Sequence, residues 1–250
     1  MSGHSRWANI KRTKGAADAK RGRIFTKLVK ELTVAARIGG GNPDGNPRLR
    51  LAIDTAKAEM MPKDNIDRAI KKGTGELEGE QIVEVLYEGY GSNGIALLIE
   101  TTTDNRNRTV ADLRNLLDKA GGSLGTSNAV AWKFTRKGRI VVPKSSITED
   151  KLTEAVIEAG GEDVQDGGDV FYVMTSMEDF NTVRENLEKA KVKLTEAELT
   201  YIPNTPVKLE GHDAEKFLRL MDALDEHDDV QKVHADAEIS DEEIARISAM

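Results

Sequence analysis

The residues of this sequence most suited to chemistry are cations. At 100° per residue, Lys20, Arg23, Lys27, Lys30 and Arg37 fall on one side of a helix that also carries Arg21. They follow an arm holding Arg6, Trp7, Lys11, Arg12 and Lys14. A helix whose polar face is Lys and Arg neutralises phosphates by ion pairing and releases their counterions. A basic amphipathic helix also suits a membrane surface, but docking there needs the apolar face that this helix requires for packing. The sequence therefore predicts a nucleic-acid partner, DNA or RNA, and no membrane.

The segment TDNRNRT, residues 103–109, adds a second basic pair. Asp104 or Asn105 caps the helix that follows, which puts Arg106 and Arg108 in its first turn. There the helix dipole disfavours cations, at a cost of about a few tenths of a kcal/mol each. Two readings stand side by side: a second anion contact, or pairing with local carboxylates.

Other motifs offer less. Gly89, Gly91 and Gly94 spell G-x-G-x-x-G, but a dinucleotide loop must run from strand into helix, and the residues that follow, Ile95 to Ile99, are strand-like. A hairpin turn fits better. No phosphate-binding G-x-x-x-x-G-K-[ST] occurs. His4, His212, His227 and His234 are scattered without ligand spacing, and Asp225, Glu226, Asp228 and Asp229 read as a solvated acidic turn. The expectation is no catalytic residue, no metal and no cofactor: a protein that binds and does no chemistry. An enzyme working in a cleft between the α/β domains is the alternative from another class.

Composition supports this reading. The chain has 250 residues, 38% of them apolar and 32% charged, and no cysteine. Disulfide scaffolds, thiolate metal sites and thiol nucleophiles are thereby excluded. The longest aliphatic run, Ile95 to Ile99, is far too short to span a bilayer. With no apolar leader either, a cytoplasmic protein is expected. The net charge of -7 hides a division: residues 1–75 carry 17 Lys and Arg against 7 Asp and Glu, a net +10, while the remainder is net −17. A basic module on an acidic body points to a polyanion for the basic end, and leaves the acidic domains to orient it or to bind a protein partner.

The elements that must position these residues follow from periodicity. Residues 1–15 form the arm. Ile24, Leu28, Leu32 and Ala35 define a helix over 16–38, stopped by Gly39 to Pro43; Asn46 and Pro47 start a second, and Ile66, Ala69 and Ile70 mark a short third ending at Gly73. Alternation then predicts strands at 82–88 and 95–102, a helix at 106–120 and a strand through Val130, Trp132 and Phe134. Residues 139–202 spell βαββαβ, a ferredoxin-like split unit. A helix at 213–226 and a strand at 230–239 remain to complete the earlier sheet. The predicted fold is α+β and multidomain: an N-terminal three-helix domain plus two ferredoxin-like α/β domains, the third inserted into the second. The boundaries are 1–76, 77–135 with 206–240, and 136–205.

GHSRWANIK at 3–11, DAKRGRIFTKLVKEL at 18–32, NPRLRLAI at 46–53, MPKDNIDRAIKKGTG at 61–75, YEGYG at 87–91 and TDNRNRTVADLR at 103–114 resemble the YebC/PmpR family of regulatory proteins. VAWKFTRKG at 130–138 and DDVQKV at 228–233 extend the resemblance to nearly the whole chain. It implies three domains and a cytoplasmic, non-enzymatic role: DNA-binding transcriptional regulation in some members, activation of translation at the ribosome in others. Arg12 and Thr13 stand where His and Lys are common, and Met60 where Asn is common.

Overall fold

The computed structural model describes residues 17–79 and 81–248, with side chains from residue 21 onward. Helix α1 (Ala17–Gly39), α2 (Pro47–Ala58) and α3 (Lys63–Thr74) make up the N-terminal helical domain. Leu32, Ala35, Ala36, Leu49, Ala52, Ala56, Ile66 and Ala69 close its core, recurring at three- and four-residue intervals along each helix. Two residues fix the joints between helices. Buried Asn46 caps α2 by accepting from the Leu49 amide at 3.1 Å, and it donates to the Ala35 carbonyl of α1 at 2.8 Å. Gly73 lets α3 touch α1, since a Cβ there would lie 2.3 Å from the Thr33 carbonyl oxygen.

The chain continues as β1 (Val83–Tyr90) and β2 (Ala96–Thr103), paired antiparallel, then α4 (Arg106–Lys119) and the two-residue strand β3 (Ser123–Leu124). The glycine motif is the β1–β2 hairpin turn, in which Asn93 and Gly94 adopt φ of 60° and 72°. Residues 132–206 are a compact unit of their own: β4 (Phe134–Pro143), α5 (Glu149–Ala159), β5 (Asp163–Asp166), β6 (Val170–Thr175), α6 (Phe180–Lys189) and β7 (Glu196–Pro203). Its sheet order β5-β6-β4-β7, antiparallel throughout, is that of the ferredoxin-like fold, with Ile140, Val142, Phe171 and Val173 packed under the two helices.

After residue 206 come β8 (Val207–Lys208), α7 (Gly211–Asp225), β9 (Val230–Ala235), β10 (Ala237–Glu238) and α8 (Asp241–Ser248). Strand β9 pairs with β2, giving the order β3-β1-β2-β9, and β8 pairs with β10 in parallel. Residues 132–206 are thus inserted within a unit built from the segments on either side of them. The core of the α/β part of that unit centres on Leu97, Ile99, Leu113, Leu117, Phe217 and Met221.

Two expected strands are corrected. No strand runs through Val130 and Trp132, because Ala131–Lys133 is a single 3-10 turn and β4 starts at Phe134. The Glu88 carboxylate accepts the amides of Asn128, Val130 and Ala131 at 2.6–2.8 Å, so those groups are held by a side chain where a ladder would have used them. The β1 edge is instead closed by Ser123–Leu124. The strand expected over 230–239 breaks at Asp236, whose carboxylate accepts the Ala96 amide at 2.8 Å, and β10 turns away to β8. Helix α8 has no counterpart among the elements expected from periodicity.

Candidate nucleic-acid interface

The cations of α1 fall into two groups. Arg21 is exposed and lies over the Phe25 ring, 5.4 Å from its centroid. Arg23 approaches Glu226 at 3.6 Å. Lys27 and Lys30 point into the α/β domain: Lys27 Nζ donates to the Asp225 carbonyl at 2.7 Å, and Lys30 Nζ to the Asp228 carbonyl at 2.8 Å and to Asp229 Oδ1 at 2.5 Å. Burial pushes the Lys27 ammonium below its usual range, against the upward pull of Asp225 and Asp228. Arg37 donates to the Ile82 carbonyl. Of the other sequence-predicted residues, Lys20 sits in α1 with its side chain outside the described residues, and Arg6, Trp7, Lys11, Arg12 and Lys14 also lie outside them.

Asp229 is the hub of these contacts. Its side chain is 2% exposed, and besides Lys30 it accepts from Arg108 Nη2 at 3.0 Å and from Thr109 Oγ1 at 2.8 Å. Burial alone would raise this carboxyl. The hydrogen bonds from Lys30, Arg108 and Thr109 outweigh that and hold it down at about 2. Arg108 reaches Asp104 as well, at 2.6 Å, and its guanidinium is held above its ordinary range by both carboxylates, Asp229 first. Of the two readings of the TDNRNRT pair, Arg108 follows the local-carboxylate one. Arg106 is exposed and makes no ion pair among the described residues.

The acidic turn at 225–229 is therefore not merely solvated. It receives Arg23, Lys27, Lys30 and Arg108. His227 orders it further: its Nδ1 accepts the Asp229 amide at 3.1 Å, which leaves Nε2 to donate to Asp112 at 3.3 Å. Arg48 makes a second bridge between the helices and the sheet, gripping Glu31 of α1 at 2.7 and 2.9 Å and Glu84 of β1 at 2.6 Å. Beside the hub runs a groove of about 760 Å³, whose lining includes five carboxylates against Lys30 and Arg108. That balance of charge disfavours a phosphate chain there.

Sequence reasoning misses the cations of α3. Lys63, Arg68, Lys71 and Lys72 are all exposed and make no ion pair among the described residues, and Arg68, Lys71 and Lys72 lie opposite the buried Ile66 and Ala69. The spacing of Ile66, Ala69 and Ile70 carries the signal, because it sends positions 68, 71 and 72 outward. Arg68, Lys71 and Lys72 recur at three- and four-residue intervals, as phosphate-binding residues on one helix face must.

Comparison with known proteins places this arrangement. Residues 5–76 match the TACO1/YebC protein N-terminal domain, and residues 82–237 match the TACO1/YebC second and third domain. A protein of Desulforapulum autotrophicum named "probable transcriptional regulatory protein" is 57% identical over 242 residues, covering 97% of this chain and 98% of that one. One of the same name from Geobacter sulfurreducens is 55% identical over 247 residues, covering 99% and 100%. The crystal structure of a conserved hypothetical protein from Aquifex aeolicus superposes with a TM-score of 0.82 at 49% identity, over 91% of this chain and 94% of that one. With both family domains matched in order and relatives aligned from end to end, the chain belongs to the TACO1/YebC family.

Proposed function

We propose that this protein is a non-enzymatic regulator of gene expression that binds nucleic acid through its basic N-terminal domain, as a DNA-binding transcriptional regulator in the cytoplasm. One observation carries the reading: a domain of net +10, on which α3 turns Arg68, Lys71 and Lys72 to solvent with no ion-pair partner among the described residues. The names of the relatives support a role in transcription.

The proposed interface comprises Arg6, Trp7, Lys11, Arg12 and Lys14 of the arm, Lys20 and Arg21 of α1, the α3 cations, and Arg106. Lys27, Lys30 and Arg37 join the helical domain to the α/β part, Arg23 stands at the margin of that contact, and Arg108 is held within the α/β part by Asp104 and Asp229. The acidic α/β domains are left for a protein partner, for which their charge suits a basic surface.

Phosphate charge is common to DNA and RNA, so the test measures both. Affinities for duplex DNA and for a ribosomal RNA fragment are determined at one fixed salt concentration, and lysate is sedimented through sucrose at low and high salt. Preference for duplex with no comigration with ribosomes supports the transcriptional reading. Salt-sensitive comigration with ribosomes and preference for RNA replace it with a translational one. Binding to neither removes the nucleic-acid reading.

A further inference from the structure

The inserted unit carries a basic run of its own along β4. Residues 132–148 hold Lys133, Arg136, Lys137, Arg139 and Lys144 and no acid, and residues 199–206, beside the start of β4, hold none either. This is a local reversal in a body of net −17. Lys137, Arg139 and Lys144 pair with Glu162, Glu198 and Asp166. Arg136, further toward the strand start, is exposed and makes no ion pair among the described residues; its guanidinium lies 5.8 Å from the centroid of Tyr201, its partner across the β4–β7 ladder.

Four positions before Arg136, in the turn that leads into β4, is Trp132, 70% exposed. Its backbone is held in place. Asn204 Nδ2 donates to the Trp132 carbonyl at 3.1 Å, the Asn204 amide donates to the Lys133 carbonyl at 2.8 Å, and Thr135 Oγ1 donates to Asn204 Oδ1 at 2.6 Å. An indole presented to solvent from a clamped turn is pre-organised to bind a flat partner, since little backbone freedom remains to be lost. Cations beside an exposed aromatic ring are the combination that holds single-stranded nucleic acid: bases stack on the ring while the cations meet the phosphates.

We propose that Trp132, flanked by Lys133 and Arg136, is a stacking site for an unpaired base of single-stranded nucleic acid. The inference rests on the nucleic-acid reading above and adds to it a second contact and a strandedness. In a duplex the faces of the bases are covered by their neighbours, so Trp132 has nothing to stack on except where strands are open.

The test uses the full chain. The emission of the unaltered protein and of Trp132→Phe is followed during titration with oligothymidylate, oligouridylate and a duplex of the same length, and the difference between the two reports Trp132, since the chain has two tryptophans, Trp7 and Trp132. Saturable quenching by the single strands and little by the duplex is expected, and the two single strands report whether DNA or RNA is preferred. With labelled oligonucleotides, Trp132→Ala weakens single-strand binding roughly tenfold, the range expected for one stacked base. Trp132→Phe recovers most of that loss, and duplex affinity stays as it was. Circular dichroism checks that the variants are folded, which the exposure of Trp132 leads one to expect. If the unaltered protein binds nucleic acid but Trp132→Ala binds single strands equally well, or loses duplex and single strand alike, the stacking site is refuted and the basic-domain reading stands. If the unaltered protein binds neither, both fall together.

Discussion

The ammonium of Lys30 lies 2.5 Å from a carboxylate oxygen of Asp229, and the two side chains are 14% and 2% exposed. One belongs to the basic helix and the other to the acidic turn before β9, and their contact joins the two oppositely charged parts of the molecule. Asp229→Asn keeps the shape but removes the charge that answers both Lys30 and Arg108. Breaking a buried pair in this way typically costs about 3 kcal/mol or more, because the remaining cation is left uncompensated. The double variant Lys30→Met/Asp229→Asn is expected to recover part of the loss. Urea unfolding of both single variants and the double variant measures the coupling, and strictly additive effects would show the pair to be incidental.

The same contact predicts a dependence on pH. Asp229 has its carboxyl lowered to about 2 in the folded protein from an ordinary value of 3.8. A lowered carboxyl favours the folded state above the ordinary value, and that contribution disappears as pH falls through the folded one. Stability from this group is therefore level at neutral pH and declines between about pH 4 and pH 2. The Asp229→Asn variant should lack that part of the decline when melting temperatures are compared across this range.

Met60 adopts a φ of 57° and is 75% exposed, at the turn that ends α2. A left-handed backbone costs a side chain such as Met roughly 1 kcal/mol, whereas Gly adopts it readily and Asn tolerates it. Met60→Gly should raise stability by about 0.5 to 1 kcal/mol, and Met60→Asn by somewhat less. The urea midpoint is expected to rise with its slope unchanged. A fall in midpoint would mean that the Met60 side chain makes a contact outweighing the strain.

Local pattern makes much of this fold legible. The Asn46-Pro47 start of α2, the GYGSNG hairpin and the βαββαβ order of the insert are all written within a few residues of one another. Strand β3 is not, since two residues between glycines show no alternation, and the path of residues 128–131 depends on Glu88, some 40 positions earlier. The candidate site divides in the same way. The cationic stripe of α1 is visible, but its use is not: Lys27 meets Asp225 across 198 positions, and no spacing rule links residues so far apart. Helical periodicity can assign Lys27 and Lys30 to a polar face. It cannot tell a face turned to solvent from one covered by an acidic turn.

The division of labour among the cations separates two kinds of variant. Lys27→Gln with Lys30→Gln should lower stability, leaving Asp229 buried without its nearest cation, while Arg68→Gln, Lys71→Gln and Lys72→Gln together should leave the melting temperature within about 1 °C, as surface changes on good helix formers do. Thermal unfolding followed by circular dichroism distinguishes the two. Equal stability in both variants would mean that the contacts of Lys27 and Lys30 contribute nothing.

The most direct test of the central claim is the salt dependence of nucleic-acid binding by the unaltered protein and by the Arg68→Gln, Lys71→Gln, Lys72→Gln variant. Each phosphate neutralised on duplex DNA contributes about 0.9 to the slope of log affinity against log salt. The account predicts a steep slope for the unaltered protein and one shallower by about 2 to 3 for the folded triple variant, with weaker binding throughout. The same slope and the same affinity in both proteins would contradict it, and would show the exposed face of α3 to be only solvated.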